Sequence, residues 1–321
     1  MVSGAHLFRK HPVNMSGTLR KYLLLAAILI GSTFLFVSGP DYYSSRSVRA
    51  LWDLGHILLF GLITYFLLSF SQWLRSKPYI TQIFLILLFT FFTGVATELA
   101  QLDTNRTPEL GDLLRDLLGS WIVLVFYQGR NLKYAKVMHL FTVLLIGMAL
   151  WPLGRAVSDE WTAKKQFPLL SDFETYFETD RWEATAFKER SMQYAAHGSY
   201  SLKCRITPQK YSGFALKYFP GYWQNYRYLN FRIFSESASS IRLHCRIHDE
   251  HHLKNNQPYN DRFNTVLSVE PGWNNYRLSL EEVKRTPEGR EMDMSRIKSL
   301  AFFVTDLTKP AYVYIDYVYL N

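Results

Sequence analysis

The residues with the most chemistry in them sit between two apolar runs. The stretch "TELAQLDTNRTPELGDLLRDLLG" carries Glu98, Gln101, Arg106, Glu109, Asp112, Arg115 and Asp116, and the earlier "WDLGHILLF" carries Asp53 and His56. Spacings of three and four residues place Glu98 with Gln101, and Asp112 with Arg115 and Asp116, on shared helical faces. Carboxylates beside an imidazole can hold a hard divalent cation through oxygen or exchange a proton with a substrate. Arg106 and Arg115 suit phosphate, because a guanidinium fork matches its oxygens. The same groups can instead pair with one another and end helices, with Asp112 as an N-cap and Asp116 in a favourable first turn. Ligand site, catalytic site and structural cluster all remain open from the residues alone.

The elements that must position these side chains are apolar blocks. Residues 20–37, 54–74, 79–100, 113–127 and 134–153 are candidate membrane helices in a chain of 321 residues that is 48% hydrophobic. A helix needs about 20 mostly apolar residues to cross a bilayer, and the fourth block reaches that length only with its polar outer turns. Lys and Arg favour cytoplasmic loops. The basic N-terminal "HLFRKHPVNMSGTLRK", "RSKP" and "GRNLKYAK" therefore predict a cytoplasmic N-terminus in the cell membrane, and five spans export the C-terminus to the periplasm or the exterior. Small residues in "VSG" at 37–39 leave a cleaved signal peptide as an alternative reading of the first block. With this topology Asp53, His56, Glu98, Gln101, Arg106, Asp112 and Asp116 all fall at the outer membrane face. A charge in lipid is costly enough that such groups are expected to face one another, a cavity or headgroups.

These motifs carry a resemblance over residues 53–119. An Asp and a His opening one helix, an acid followed by Gln three positions later, an Arg, and an Asp-rich helix start ending at Gly119 resemble the VanZ family of small membrane proteins. Leu54, Thr97 and Asp116 depart from that pattern. The resemblance implies that Asp53, His56, Glu98, Gln101, Arg106 and Asp112 form the family's polar cluster. It associates the chain with glycopeptide antibiotic resistance and names no reaction.

Beyond residue 167 the pattern changes to short alternating strands: "SYSLKCRI", "GFALKYF", "YLNFRIF", "IRLHCRIH", "FNTVLSV", "YRLSL", "SLAFFV" and "AYVYIDYVYL". Eight strands separated by turn residues predict an all-β sandwich. The segments "SDFETYFETDRWEA", "AAHGSYSLKC", "EPGWNNYRLSL", "DMSRIKSLAFFV" and "YVYIDYVYL" resemble jelly-roll carbohydrate-binding modules of the galactose-binding-like fold. That resemblance implies a structural calcium ion near Glu174, the "HGS" turn and Asp316. It also implies sugar recognition by aromatic faces, for which Tyr211, Tyr222, Trp223, Tyr226 and Tyr259 are the candidates.

The run "HCRIHDEHH" at 244–252 reads as a polar hairpin tip rather than a metal site, and His139 as a packed or headgroup-facing residue. Cys204 and Cys245 lie on strands and can bridge only if their Cα atoms fall within about 7 Å. The net charge of +9 is met by anionic lipid at the cytoplasmic loops, and no nucleic-acid motif accompanies it. No phosphate loop, nucleophile elbow or zinc-type Cys spacing occurs. The expectation is a membrane protein of about five helices (1–153), a short polar linker (154–166) and an exported jelly-roll sandwich (167–321), engaged in envelope glycan or lipid-linked precursor handling. The competing class is a non-enzymatic anchor that displays a sugar-binding or adhesion module.

Overall fold

A computed structural model describes residues 17–37, 39–41, 43–101, 109–128 and 133–321. The chain divides into two compact units, Met1–Asp41 with Arg49–Trp151, and Tyr42–Val48 with Pro152–Asn321.

The helices are α1 (Gly17–Phe36), α2 (Arg46–Phe70), α3 (Gln72–Arg75), α4 (Tyr79–Gln101), α5 (Leu110–Val123) and α6 (Ala135–Gln166). Among the described residues, α1, α2, α4 and α6 are long and apolar enough to cross a membrane, one fewer than expected. The difference is α5. Its 14 residues rise about 21 Å at 1.5 Å each, short of a hydrocarbon core of about 30 Å. A π-helical turn, Leu124–Gln128, follows it directly. Two glycines let α5 pack closely: a Cβ on Gly119 would lie 2.3 Å from the Ile57 carbonyl oxygen of α2, and one on Gly94 of α4 would lie 2.9 Å from Asp116 Oδ2. His139 stacks on Phe126 at 4.8 Å, the packed role expected of it.

In the second unit the strands are β1 (Leu169–Ser171), β2 (Trp182–Ala184), β3 (Phe187–Ser191), β4 (Ser201–Ile206), β5 (Ser212–Leu216), β6 (Tyr228–Ser235), β7 (Ile241–Asp249), β8 (Phe263–Val269), β9 (Gly272–Ser279), β10 (Ile297–Val304) and β11 (Ala311–Leu320). Short helices α7 (Glu250–Lys254) and α8 (Leu280–Arg285) interrupt them. One sheet runs β3-β4-β11-β6-β9 with β1 also on β11, and the other runs β2-β5-β10-β7-β8. All pairings are antiparallel. The eight expected strands are β4 to β11; β1 and β2 have three residues each, and β3, FKERS, has a single apolar residue, so none of them shows an alternation. Between the sheets lies one apolar core that includes Trp182, Trp223, Phe231 and Phe302.

The segment 154–166, expected as a linker, is helical and forms the C-terminal part of α6. Its Asp159 is nearly inaccessible and accepts hydrogen bonds from Arg181 Nε at 3.0 Å to each oxygen. Arg46 also pairs with Asp159, while Arg181 donates to the Leu170 carbonyl at 3.0 Å and sits 3.5 Å from Glu178. Polar composition did not reveal that Asp159 would be buried in an ion network; in this segment only Ala156, Asp159 and Ala163 are buried.

Candidate functional site

Alternation along the second sheet sorts its side chains. Leu243, Cys245 and Ile247 of β7, Leu300 and Phe302 of β10, and Phe214 and Leu216 of β5 enter the core. Their neighbours must therefore face away from it. These are His244, Arg246 and His248; Ser299, Ala301 and Phe303; and Gly213 and Ala215. The register aligns Glu183, Ala215, Ala301, Arg246 and Asn264 in one row across five strands, and Gly213, Phe303, His244 and Val266 in the next.

Ala215 and Ala301 in the first row and Gly213 in the second are small beside larger neighbours, which leaves a groove of about 470 Å³. Gly213, Ala215 and Ala301 floor it, and Glu183, Tyr211, Arg246, Arg262 and Phe303 wall it. Gly213 has no substitute: a Cβ there would fall 1.9 Å from the Phe302 carbonyl oxygen. Phe303 is flanked by Tyr211 at 5.7 Å and lies flat against His244 at 5.1 Å. The groove thus pairs aromatic rings with charged hydrogen-bonding groups over a flat floor.

Of the aromatic candidates, the exposed Tyr211 lies in this groove, and the exposed Tyr259 holds the Arg262 guanidinium over its ring at 5.1 Å. Trp223 is a core residue, fully buried and donating to the Pro220 carbonyl at 3.2 Å. Tyr226 packs against the same core beside Phe167. Tyr222 is exposed, but its hydroxyl meets Gln224 outside the groove. Arg246, Arg262, Phe303 and the small floor residues were not singled out from sequence. Their signal was the alternation within "IRLHCRIH" and "SLAFFV", which identifies faces but not which rows align.

Glu174 and Asp316 do converge on one turn. Glu174 Oε1 accepts the Ser199 and Tyr200 amides at 2.7 and 2.8 Å, and Asp316 Oδ2 accepts those of Ala196 and His197 at 2.6 and 2.9 Å. Asp316 Oδ1 also takes the Tyr317 amide at 2.6 Å. Gly198 has φ +65°, and a Cβ there would meet Glu174 Oε1 at 2.5 Å. Burial pushes the Asp316 carboxyl up to about 6, and the three backbone amides limit the rise. Among the described residues no group of three or more His, Cys, Asp and Glu side chains is placed to hold a metal ion.

The histidine run is not a polar tip. His248 and His252 are buried, and α7 follows β7 with Asp249 as its N-cap. Arg290 binds both Asp249 and Asp261. Cys204 and Cys245 are free thiols buried on opposite sheets, and burial pushes both thiols up.

In the first unit most of the polar cluster comes together. His56 Nδ1 lies 2.9 Å from Asp116 Oδ1, and Nε2 lies 3.5 Å from Asp112 Oδ2. Arg115 pairs with Asp112 and sits 3.5 Å from Asp53. Glu98 Oε2 accepts the Glu109 amide at 2.9 Å, while its buried Oε1 has no hydrogen-bond partner among the described residues. Gln101 turns away, donating to the Leu35 carbonyl of α1 at 2.7 Å. The N-cap of α5 is Glu109 rather than Asp112, and its side chain makes no capping bond. Arg106 lies outside the described residues. Deeper in the helices Ser120 joins Thr64 and Thr90 at 2.9 and 2.8 Å. An imidazole held between two carboxylates can relay a proton.

No family model matches the chain, so none stands beside the VanZ-like expectation, and no curated protein matches it. Solved structures that align with part of the chain include an exo-β-agarase, at 18% identity over 48% of this chain and 24% of that one, with a TM-score of 0.37. Another is a family 11 carbohydrate-binding module from Clostridium thermocellum in complex with a β-1,3-1,4-mixed-linked tetrasaccharide, at 17% identity over 47% and 93%, with a TM-score of 0.35. A third is a family 30 carbohydrate-binding module of a C. thermocellum cellulosomal cellulase, at 16% over 44% and 86%, with a TM-score of 0.32.

Proposed function

We propose that the chain is a multi-pass protein of the cell membrane that displays a glycan-binding β-sandwich outside the cytoplasm, with α5 and the π-helical turn after it, residues 110–128, supplying together the fifth crossing that this side requires. The observation that carries this reading is the groove on the β2-β5-β10-β7-β8 sheet, where Tyr211 and Phe303 stand beside Glu183, Arg246 and Arg262 over a floor of Gly213, Ala215 and Ala301. Sugar rings present C–H faces to aromatic rings and hydroxyls to charged planar groups, so this combination suits a saccharide. The length and composition of α1, α2, α4 and α6 support the membrane part. The test is affinity electrophoresis of detergent-solubilised full-length protein through gels containing a panel of polysaccharides. At least one gel should retard the wild type and not Tyr211→Ala. If none does, the sugar-binding reading is wrong.

The convergence of His56, Asp112 and Asp116 favours a second role, in which the helical unit handles a lipid-linked envelope precursor. Glycopeptide resistance, the association of VanZ-like proteins, is its most specific form. A deletion strain complemented with Glu98→Gln or His56→Ala distinguishes the cases. Lost rescue at normal membrane abundance supports ligand handling, parallel loss of both supports a structural anchor, and full rescue refutes the site. Calcium at the 196–200 turn belongs to the same proposal. Glu174 and Asp316 bring two hard-oxygen groups to one turn, although the amides they accept need no cation. A calcium-induced rise in sandwich melting, absent in Asp316→Ala, is the expected result.

A further inference from the structure

The charge around the groove narrows its ligand. Two guanidiniums, Arg246 and Arg262, line it against one acid, Glu183. Two further acids, Asp249 and Asp261, are engaged by Arg290. Among the described residues Arg262 has no carboxylate partner; its ring contact is Tyr259, and its buried Nε donates to nothing. One row away on the same face lies His248, 1% exposed, with neither ring nitrogen hydrogen-bonded among the described residues, next to a buried Ser299 hydroxyl that likewise has no partner among them. Burial, followed by the charges of Arg246, His252, Lys217 and Arg262, pushes His248 down to about 2. Burial and the charge of Arg246 likewise lower the Arg262 guanidinium. Burial leads both shifts and both share the charge of Arg246; the geometric mark of this end of the groove is the buried Arg262 Nε, which among the described residues has no acceptor.

We propose that the groove binds an anionic saccharide, whose carboxylate or sulfate oxygens are received by Arg262 and Arg246 while Tyr211 and Phe303 face the sugar ring. This rests on the glycan-binding reading of the same groove and adds the charge class. A planar anion accepts two parallel N–H bonds from a guanidinium, which an ammonium cannot supply. A neutral sugar's hydroxyl oxygens can accept from Arg262 but leave its charge uncompensated, which an anionic group does not.

The test uses full-length protein in neutral detergent and compares oligogalacturonate, sulfated agar oligosaccharides and neutral agaro-oligosaccharides of similar length by calorimetry at two salt concentrations. An acidic probe should bind at least about 10-fold more tightly than the neutral one and weaken with salt, as exposed charge pairs do. Arg262→Met keeps the apolar stem and should cost about 10- to 100-fold for the acidic probe. Arg262→Lys should recover only part of it, and neither should change amide exchange of β7 and β10. Preference for oligogalacturonate identifies a carboxylate ligand, and preference for the sulfated probe a sulfate. Equal binding of neutral and acidic probes, unchanged in Arg262→Met, overturns the anionic class and leaves glycan binding standing. Failure of all three probes and of the polysaccharide gels overturns both.

Discussion

Removing the Asp159 carboxylate should loosen the whole sandwich unit, although the residue lies in a segment that reads as a solvated connection. Asp159 is 3% exposed and Arg181 0%. Three Arg181–Asp159 contacts lie between 2.8 and 3.0 Å, and Arg46 is a second cation on the same carboxylate. Breaking a buried pair by deleting one partner costs about 3–5 kcal/mol, because the other charge stays desolvated. Arg181 keeps the Leu170 carbonyl and Glu178, so Asp159→Ala belongs at the lower end, about 3 kcal/mol. At about 1.4 kcal/mol per factor of ten, the slowest amides of β10 and β11 should exchange about 100-fold faster in solubilised full-length protein. Asp159→Asn keeps one acceptor oxygen for Arg181 and should lose less than Asp159→Ala. Exchange within threefold of wild type in Asp159→Ala, or a larger loss in Asp159→Asn than in Asp159→Ala, would refute this account.

For Asp316, a folded-state value near 6 lies above the ordinary 3.8, so its carboxyl favours folding below about pH 4 and loses that contribution as pH rises through 6. In chelator, the stability of wild type relative to Asp316→Asn should therefore fall by up to about 3 kcal/mol between pH 4 and 7; a flat or rising difference would sink the idea. Gly119→Ala forces the α2 and α5 backbones apart and should cost about 1–3 kcal/mol in detergent melts, whereas Gly55→Ala, with open space around its Cβ position, should melt like wild type. Equal melting of the two variants contradicts the close packing. Gly198→Ala should destabilise the 196–200 turn by about 1–3 kcal/mol through its left-handed backbone, read as faster exchange of the Ser199 and Tyr200 amides.

Much of the architecture was legible because it depends on local patterns. Unbroken apolar runs identified α1, α2, α4 and α6, and a two-residue alternation identified β4 to β11, since both periods follow from where Cβ points along helix and strand. Three- and four-residue spacings were enough to place Asp112 and Asp116 on the face that meets His56. What the alternation could not supply was register. Arg246 and Ala301 are 55 positions apart yet adjacent across β7 and β10, and strand pairing over such a separation is set by packing the whole core. The same long-range packing put Trp223 inside, buried His248 and His252, and separated Cys204 from Cys245 on facing sheets. It also turned the polar stretch 154–166 into a helix pinned by Arg181. Sequence alone determined which residues are apolar, charged or aromatic and which share a face of one element. The choice of which faces meet, and so which charges are compensated and which aromatic rings stay exposed, belonged to tertiary structure, because burial and pairing energies arise only when distant segments leave water together.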